Sequence, residues 1–452
     1  MRRTVFRLLA VSSLLLAVAA HAATRPHYGG TLRVEMRAAP RSLDPADLAV
    51  NGGGNLSSLI FETLVTLDSR GRLCPGLATS WQAEPGEQRW HFVLRQGVVF
   101  HDGSPLTADV VAASLRSTNP QWKVSANGDS IVVELASPAA NFAAEVAQAR
   151  NGIARRAGGQ VVGTGPFTIR EWRAGQQLVL AANNDYWGGR PFLDAIEIEL
   201  GKSPREQAMA LDVNQADLIE IPPEQARHAQ AENRRVESSS PAELMALIFA
   251  RPPQSADETR LRRAFALSID RSLLNNVMLQ GGGEPTAALL PQWMTGYAFL
   301  FPSQADVQAS RQLTAGLRQA GPWALSYDPT DQLARLVAER IVLNARDAGL
   351  TLNLTSSANA DLRLVEAPLA SLDARAALTD FAAGSGLPQP KFAGTTPEEM
   401  YSAESSLLQS QRVIPLLHLR ISYGLSQRVR GWTLSPDGGW ELANLWLEPE
   451  TP

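Results

Sequence analysis

The side chains with the widest chemical repertoire are sparse in this 452-residue chain, which holds six histidines and a single cysteine, Cys74. Metal catalysis needs ligands that converge. His91, His101, His228 and His418 fall in no H-E-x-x-H or other close metal-ligand spacing. His101 and Asp102 adjoin as half of a metal pair would, but Asp102-Gly103 reads as a turn. No G-x-S-x-G elbow presents a nucleophilic serine, and no G-x-x-x-x-G-K-[ST] loop cradles a phosphate. Cys74 beside Pro75 carries no nucleophile motif. These residue types argue against an enzyme and for noncovalent binding, with no cofactor and no metal expected.

Charge excludes a further class. The chain has 41 Lys and Arg against 45 Asp and Glu, a formal charge of −4. Arg2, Arg3 and Arg7 precede an apolar run from Leu8 to Ala20, and Ala20-His21-Ala22 has the A-x-A form of a signal-peptidase site. Residues 1–22 are thus expected to be a cleaved signal peptide, with a mature start at Ala23. Removing its three arginines takes the charge from −4 to −7. Nothing in this balance resembles the basic stripe of a nucleic-acid binder. No cysteine stands at the cleavage site to take a lipid, and no second apolar run nears the roughly 20 residues of a membrane span. The mature protein is expected to be soluble and exported, without stable insertion in the membrane.

The elements that would position a binding site follow from periodicity. TLRVEM after Gly29-Gly30 reads as a first strand, and Leu56, Leu59, Ile60 and Leu64 as a helix face. Val65 to Asp68, with a turn at Ser69-Arg70-Gly71, opens a small sheet. In WHFVLRQGVVFHDGSPLTADVVAASL, residues 90–115, Trp90, Phe92 and Leu94 alternate with His91, Val93 and Arg95 as in a strand with one buried face. Val98 to Phe100 is expected to pair back as a second strand of that same small sheet, and Thr107 to cap the following helix, with Asp109 in its first turn. Further strands are expected at Ile131 to Leu135, Phe167 to Trp172, Gln177 to Ala181 and Ile196 to Leu200. Helices and strands then alternate: Asp270 caps a helix, and Leu333, Leu336, Val337 and Ile341 share one helix face that ends at Gly349 before the strand Leu350 to Leu354. Val413 to Leu425 forms the last strand region. The fold class is α/β.

Six segments occur in a fixed order: GGTLRVEMRAAPRSLDP, SSLIFETLVTLDSRGRLCPGLATSW, the 90–115 segment, VGTGPFTIREW, NNDYWGG and RRAFALSIDR. ADLRL and IPLLHLRISYGLS follow near the end. In these segments the chain resembles solute-binding protein family 5, the extracellular binding proteins of the peptide, nickel and opine type. The resemblance implies a periplasmic-binding-protein fold of two α/β lobes around a cleft plus an accessory subdomain. Lobe I would hold residues 23–48, 160–246 and 420–452, the accessory subdomain 49–159, and lobe II 247–419. It also implies a periplasmic, monomeric substrate-binding component of an ABC importer that delivers a small, peptide-like solute to an inner-membrane permease. The alternative is a homologue poor in ligand that serves as a sensor or accessory envelope protein.

The same resemblance nominates cleft residues. Ala39, Pro40 and Arg41 lie on the loop that lines the cleft in relatives, with Arg41 able to pair with a carboxylate. Thr164 lies near a crossover, Ala250 stands where the family has an asparagine, and Trp293 and Tyr297 resemble the aromatic segment near the cleft mouth. Peptide-binding relatives place an aromatic and an acid after the strand that ADLRL resembles. Here the aromatic is missing and only Glu366 or Asp373 can supply the charge. The chain is also short for the family after Leu115 and after Leu290.

Overall fold

The computed structural model describes residues 26–50, 52–317, 319, 321–357, 359–394, 396–442 and 444–449. The expected signal peptide and its cleavage site lie outside the described residues. In chain order, the elements that build the lobes are β1 (Thr31–Glu35), α1 (Gly54–Ile60), β2 (Ala78–Ala83), β3 (Arg89–Leu94), α2 (Ala108–Thr118), β4 (Lys123–Asn127) and β5 (Ser130–Glu134). They continue with β6 (Phe167–Arg173), β7 (Gln177–Ala182), β8 (Ala195–Glu199), β9 (Leu218–Ile221), β10 (Arg235–Phe249) and α3 (Ala256–Ser268). The last are β11 (Trp323–Ser326), α4 (Gln332–Asp347), β12 (Leu352–Thr355), β13 (Leu362–Pro368), α5 (Ala374–Gly384), α6 (Pro397–Gln409) and β14 (Val413–Leu425).

One sheet runs through both lobes in the order β6-β7-β8-β1-β9-β14-β10-β13-β11-β12, with Gly283–Pro285 added alongside β14. In lobe I, β1 lies parallel to β8 and to β9. Leu32 and Val34 of β1 pack with Ile196, Ile198 and Leu218 in one core, and α1 adds Leu56, Leu59 and Ile60 to it. The accessory core begins at Leu64. In lobe II, β11 runs parallel to β12 and β13. Alternation in each strand leaves the charged residues of β1 and β13 off the main core face.

The lobes are joined by β10 and β14, which pair over nearly their whole length. Residues 235–238 of β10 face 422–425 of β14, the part of β14 that also pairs with β9; residues 243–249 pair with β13 on the other side. Between these halves the register shifts at Ser238/Pro241 and again at Pro241/Glu243. Pro241 brings no N–H to the ladder, and bulges bend and twist a strand, so the lobes part at this point.

Lobe II shows how local signals set an element. The Asp331 carboxylate accepts from the N–H groups of Leu333 and Ala334 and so caps α4, a contribution of about 1 kcal/mol. Leu333, Val337 and Ile341 are buried as expected. Leu336, expected on that face, is 42% exposed, because the buried stripe continues through Ala334, Ala338 and Ala345 and leaves residue 336 outside it.

The accessory subdomain is a four-stranded antiparallel sheet, β2-β3-β5-β4, covered by α2. Trp90, Phe92 and Leu94 of β3 are buried and Val93 is exposed, which matches the alternation. Trp90, Phe92 and Trp122 surround Phe142 at ring distances of 5.9, 6.2 and 4.8 Å. The expected strand Val98 to Phe100 is corrected to a single bridge, Val99 to Pro105. β2 and β5 already occupy both edges of β3. Val98 and Phe100 still bury their side chains, while the backbone folds back on itself through Phe100 N–H to Ser104 and Leu106 N–H to Val98. The segment Val65–Leu67 pairs with Leu73–Pro75 in a separate ribbon and does not enter this sheet.

Candidate functional site

Parallel strands present their carboxyl ends on one side, and in open α/β sheets ligands settle outside those ends. Arg37 follows β1, Glu220 is the penultimate residue of β9, and Glu224 stands in the turn after it. From lobe II come Asp331, which follows β11, and Glu366 near the end of β13. Glu243 is the first residue of β10 paired with β13, just past the bulges. These six form one electrostatic group spanning both lobes. The Arg37 N–H donates to Glu220 Oε2 at 2.6 Å, and its Nε lies 3.6 Å from the same oxygen. Burial works against the Arg37 charge, but Glu220, Glu243, Glu366 and Asp331 outweigh it and raise the pKa.

The acids respond in the opposite sense. Burial raises the Glu366 carboxyl above its ordinary range, and Glu243, Asp331 and Glu224 push it further, against Arg37. Glu243 is raised by burial first and then by Glu220 and Asp331, again against Arg37. Burial also raises Glu224, with help from Asp331. Protein surrounds Glu366 on most sides, yet water still reaches its exposed side chain through the cleft, so the size of its rise depends on how far the lobes are closed. Glu224 Oε2 is enclosed without a hydrogen-bond partner, while Glu243 is half-buried and Glu366 exposed.

The nominated residues divide. Glu366 belongs to this group. Arg41 does not join it: the loop carrying Ala39, Pro40 and Arg41 is held against the β6–β7 turn, where Gly175 N–H donates to the Pro40 carbonyl at 2.9 Å. Ala39 and Arg41 are exposed and Pro40 is buried. The arginine in the group is Arg37, four residues earlier. Asp373 caps α5 through the Ala376 N–H at 2.9 Å. Ala250 sits past the outer end of β10, where its N–H bonds the Asp361 carbonyl, and lines an open hollow with Phe249, Arg262 and Trp323.

Thr164 is buried and donates to Glu62 Oε2 at 2.8 Å. Glu62 also accepts from Tyr186 Oη and Trp187 Nε1, both at 2.9 Å, while the Arg95 guanidinium lies 4.1 Å over the Trp187 ring. This knot ties lobe I to the accessory subdomain. Burial outweighs those donors and raises the Glu62 carboxyl. Trp293 remains 38% exposed, and its Nε1 donates to the Pro241 carbonyl at 2.7 Å, so it braces the bulged crossing. Tyr297 is buried with its hydroxyl on Glu404 Oε2 at 2.9 Å, inside the lobe II core.

Arg37, Glu220, Glu224, Glu243 and Asp331 were not nominated from sequence. The available signal was the exit of the first strand at Met36-Arg37; the others become neighbours only through the sheet order. The histidines stay apart. His91 pairs with Glu84, His101 with the Gly165 carbonyl, His228 with Glu232 and His418 with the Leu289 carbonyl. Among the described residues no three His, Cys, Asp or Glu side chains converge to hold a metal ion, and no helix is long and apolar enough to cross a membrane.

The family model of bacterial extracellular solute-binding proteins, family 5 Middle, matches residues 72–396. The probable D,D-dipeptide-binding periplasmic protein DdpA of Escherichia coli K12 is 26% identical over 297 residues, which is 57% of this chain and 56% of that protein. The nickel-binding periplasmic protein of the same organism is 26% identical over 414 residues, 78% of this chain and 75% of its own length. Among solved structures, AgaA from A. tumefaciens R10 in complex with agropinic acid superposes with a TM-score of 0.79 at 19% identity, covering 93% of this chain and 99% of that one. A dipeptide-binding protein from Pseudoalteromonas sp. SM9913 in complex with Met-Leu gives 0.78 at 19%, covering 93% and 100%. These superpositions establish the fold.

Proposed function

This chain belongs to the bacterial extracellular solute-binding proteins of family 5, and from that premise we propose that it is the substrate-binding component of an ABC importer. Its members are substrate-binding proteins of the periplasm or cell exterior. On this reading the chain is exported by its signal peptide, works as a monomer, captures a small, peptide-like solute between the lobes and hands it to an inner-membrane permease. The observation that carries the reading is the charged group assembled from both lobes at the bulged crossing of β10 and β14. A solute that touches Arg37 and Glu220 on one side and Glu366 on the other favours the closed form by its differential affinity for it. No bond is made or broken. Hydrogen bonds and charge pairs in a closing cavity supply affinity, since a buried charge left unpaired costs several kcal/mol.

The test is a thermal-shift screen of the purified mature chain against peptides, amino-acid derivatives and metal chelates. A saturating ligand at 100 times its Kd stabilises the fold by about 2.7 kcal/mol, a readily measured shift. Silence across the panel would reject the receptor reading in favour of a sensor or accessory envelope protein. Genes for two permeases and two ATPases beside its own would support the importer.

A further inference from the structure

We propose that a cavity in lobe II with His418 in its wall is a subsite for a short side chain of the solute that ends in a hydroxyl; this rests on the solute-receptor reading above. The cavity measures about 20 Å³, room for one water-sized group, and Ala242, Leu244, Leu290, Leu369, Phe381 and His418 are among the residues around it. His418 is the only polar side chain of the lining.

The imidazole has one nitrogen to spare. It is 4% exposed, and its Nε2 lies 3.1 Å from the Leu289 carbonyl oxygen. A carbonyl only accepts, so Nε2 carries the proton. Burial pushes the pKa of the ring down to about 4, which keeps it neutral and leaves Nδ1 as an acceptor. Among the described residues Nδ1 has no hydrogen-bond partner. Buried polar atoms of native proteins are paired, so an acceptor left open beside a cavity points to a donor that enters it. A resident water is a poor candidate, since it needs about two to four polar partners and the side chains here offer one.

The cavity opens where a solute would pass. Pro368 on its rim is exposed, and Ala367, Leu369 and Phe381 are half-buried, which puts the mouth at the end of β13 and beside α5. The accessory subdomain meets lobe II on this same edge: Arg150 pairs with Asp380 of α5, and a Cβ on Gly71 would lie 2.6 Å from the Leu372 carbonyl oxygen. The chemistry of the occupant follows from the wall. An ammonium would enter apolar surroundings with no counter-charge, and an amide, phenol or indole exceeds the space. A methyl fits but leaves Nδ1 unpaired. A hydroxyl on a single carbon both fits and donates. The side chain of serine in a short peptide and the primary alcohol of a polyol share this chemistry, and the two are separated by experiment.

The experiment is isothermal titration of the purified mature chain with Ser-Ser, Ala-Ala, Leu-Leu and erythritol. The expected result is that Ser-Ser binds at least about tenfold more tightly than Ala-Ala and Leu-Leu. Binding by erythritol while Ser-Ser fails assigns a polyol. His418→Leu removes the acceptor and should bring the ratio of Ser-Ser to Ala-Ala affinity close to one, a change that a purely structural role of the histidine would not produce. Should that variant fail to fold, Ala377→Leu fills the cavity from α5, leaves His418 in place and should abolish the same preference. Ala-Ala or Leu-Leu binding as tightly as Ser-Ser, a preference that survives in the variants, or a ligand without a hydroxyl emerging from the wider panel while Ser-Ser and erythritol fail, overturns the subsite and leaves the receptor reading standing. No binding by any compound of either set overturns both.

Discussion

The Arg37 N–H donates to Oε2 of Glu220 at 2.6 Å, locking together the exits of the neighbouring parallel strands β1 and β9. The bond uses backbone, so it fixes where the guanidinium starts whatever the side chain does. Arg37→Gln keeps this bond and deletes the charge that holds Glu366 and Glu243 down. Their carboxyls then rise further and stay protonated to higher pH. The pH midpoint for binding an amine-bearing ligand should therefore move up in titrations between pH 6 and 10. A midpoint that moves down would contradict the assignment of Arg37 to the cleft.

Glu404 is fully enclosed in lobe II, accepting from Tyr297 Oη and from the N–H groups of Leu289 and Leu290. Burial dominates over these donors and pushes its carboxyl up to about 7. A carboxyl raised in the fold favours the protonated form. Its contribution is therefore complete below the ordinary value of 4.5 and is lost as pH rises through about 7. The melting temperature should fall between pH 5.5 and 8, and Glu404→Gln should flatten that slope. An unchanged slope in the variant would place the titrating group elsewhere.

Trp293→Phe keeps the ring and removes the N–H that braces the Pro241 carbonyl. The expected loss is about 1 kcal/mol in the urea midpoint. Because this bond ties lobe II to the crossing itself, the variant should also release ligand faster, read by stopped-flow dissociation.

Two glycines give opposite outcomes. A Cβ on Gly163 would lie 1.9 Å from the Ile60 carbonyl oxygen, a clash with backbone that cannot move aside cheaply. Gly163→Ala should destabilise severely or prevent expression. Gly384 ends α5 with nothing within 4 Å of such a Cβ, so Gly384→Ala should stabilise by about 0.4–1 kcal/mol in the same assay.

Much of the local structure was legible because it depends on neighbours in sequence. Trp90, Phe92 and Leu94 announced β3 and its buried face, and Thr107 and Asp270 cap the helices they precede. Val98 to Phe100 failed because a strand needs a free partner, and the partners of β3 come from residues 78–83 and 130–134. Of the charged group that spans the lobes, only Glu366 was nominated from sequence. Arg33, Glu35, Arg37 and Arg41 are equivalent polar residues in one dimension; what distinguishes Arg37 is that β9, nearly 200 residues later, ends beside it.

The two crossing strands span 15 and 13 residues, and β14 supplies the partner of β9 in one lobe and of β10 in both. Neither lobe can complete its sheet until residues 413–425 are available. Folding of both lobes therefore waits on one strand far along the chain: contacts of such long sequence separation close late, and the two halves of the sheet are completed together.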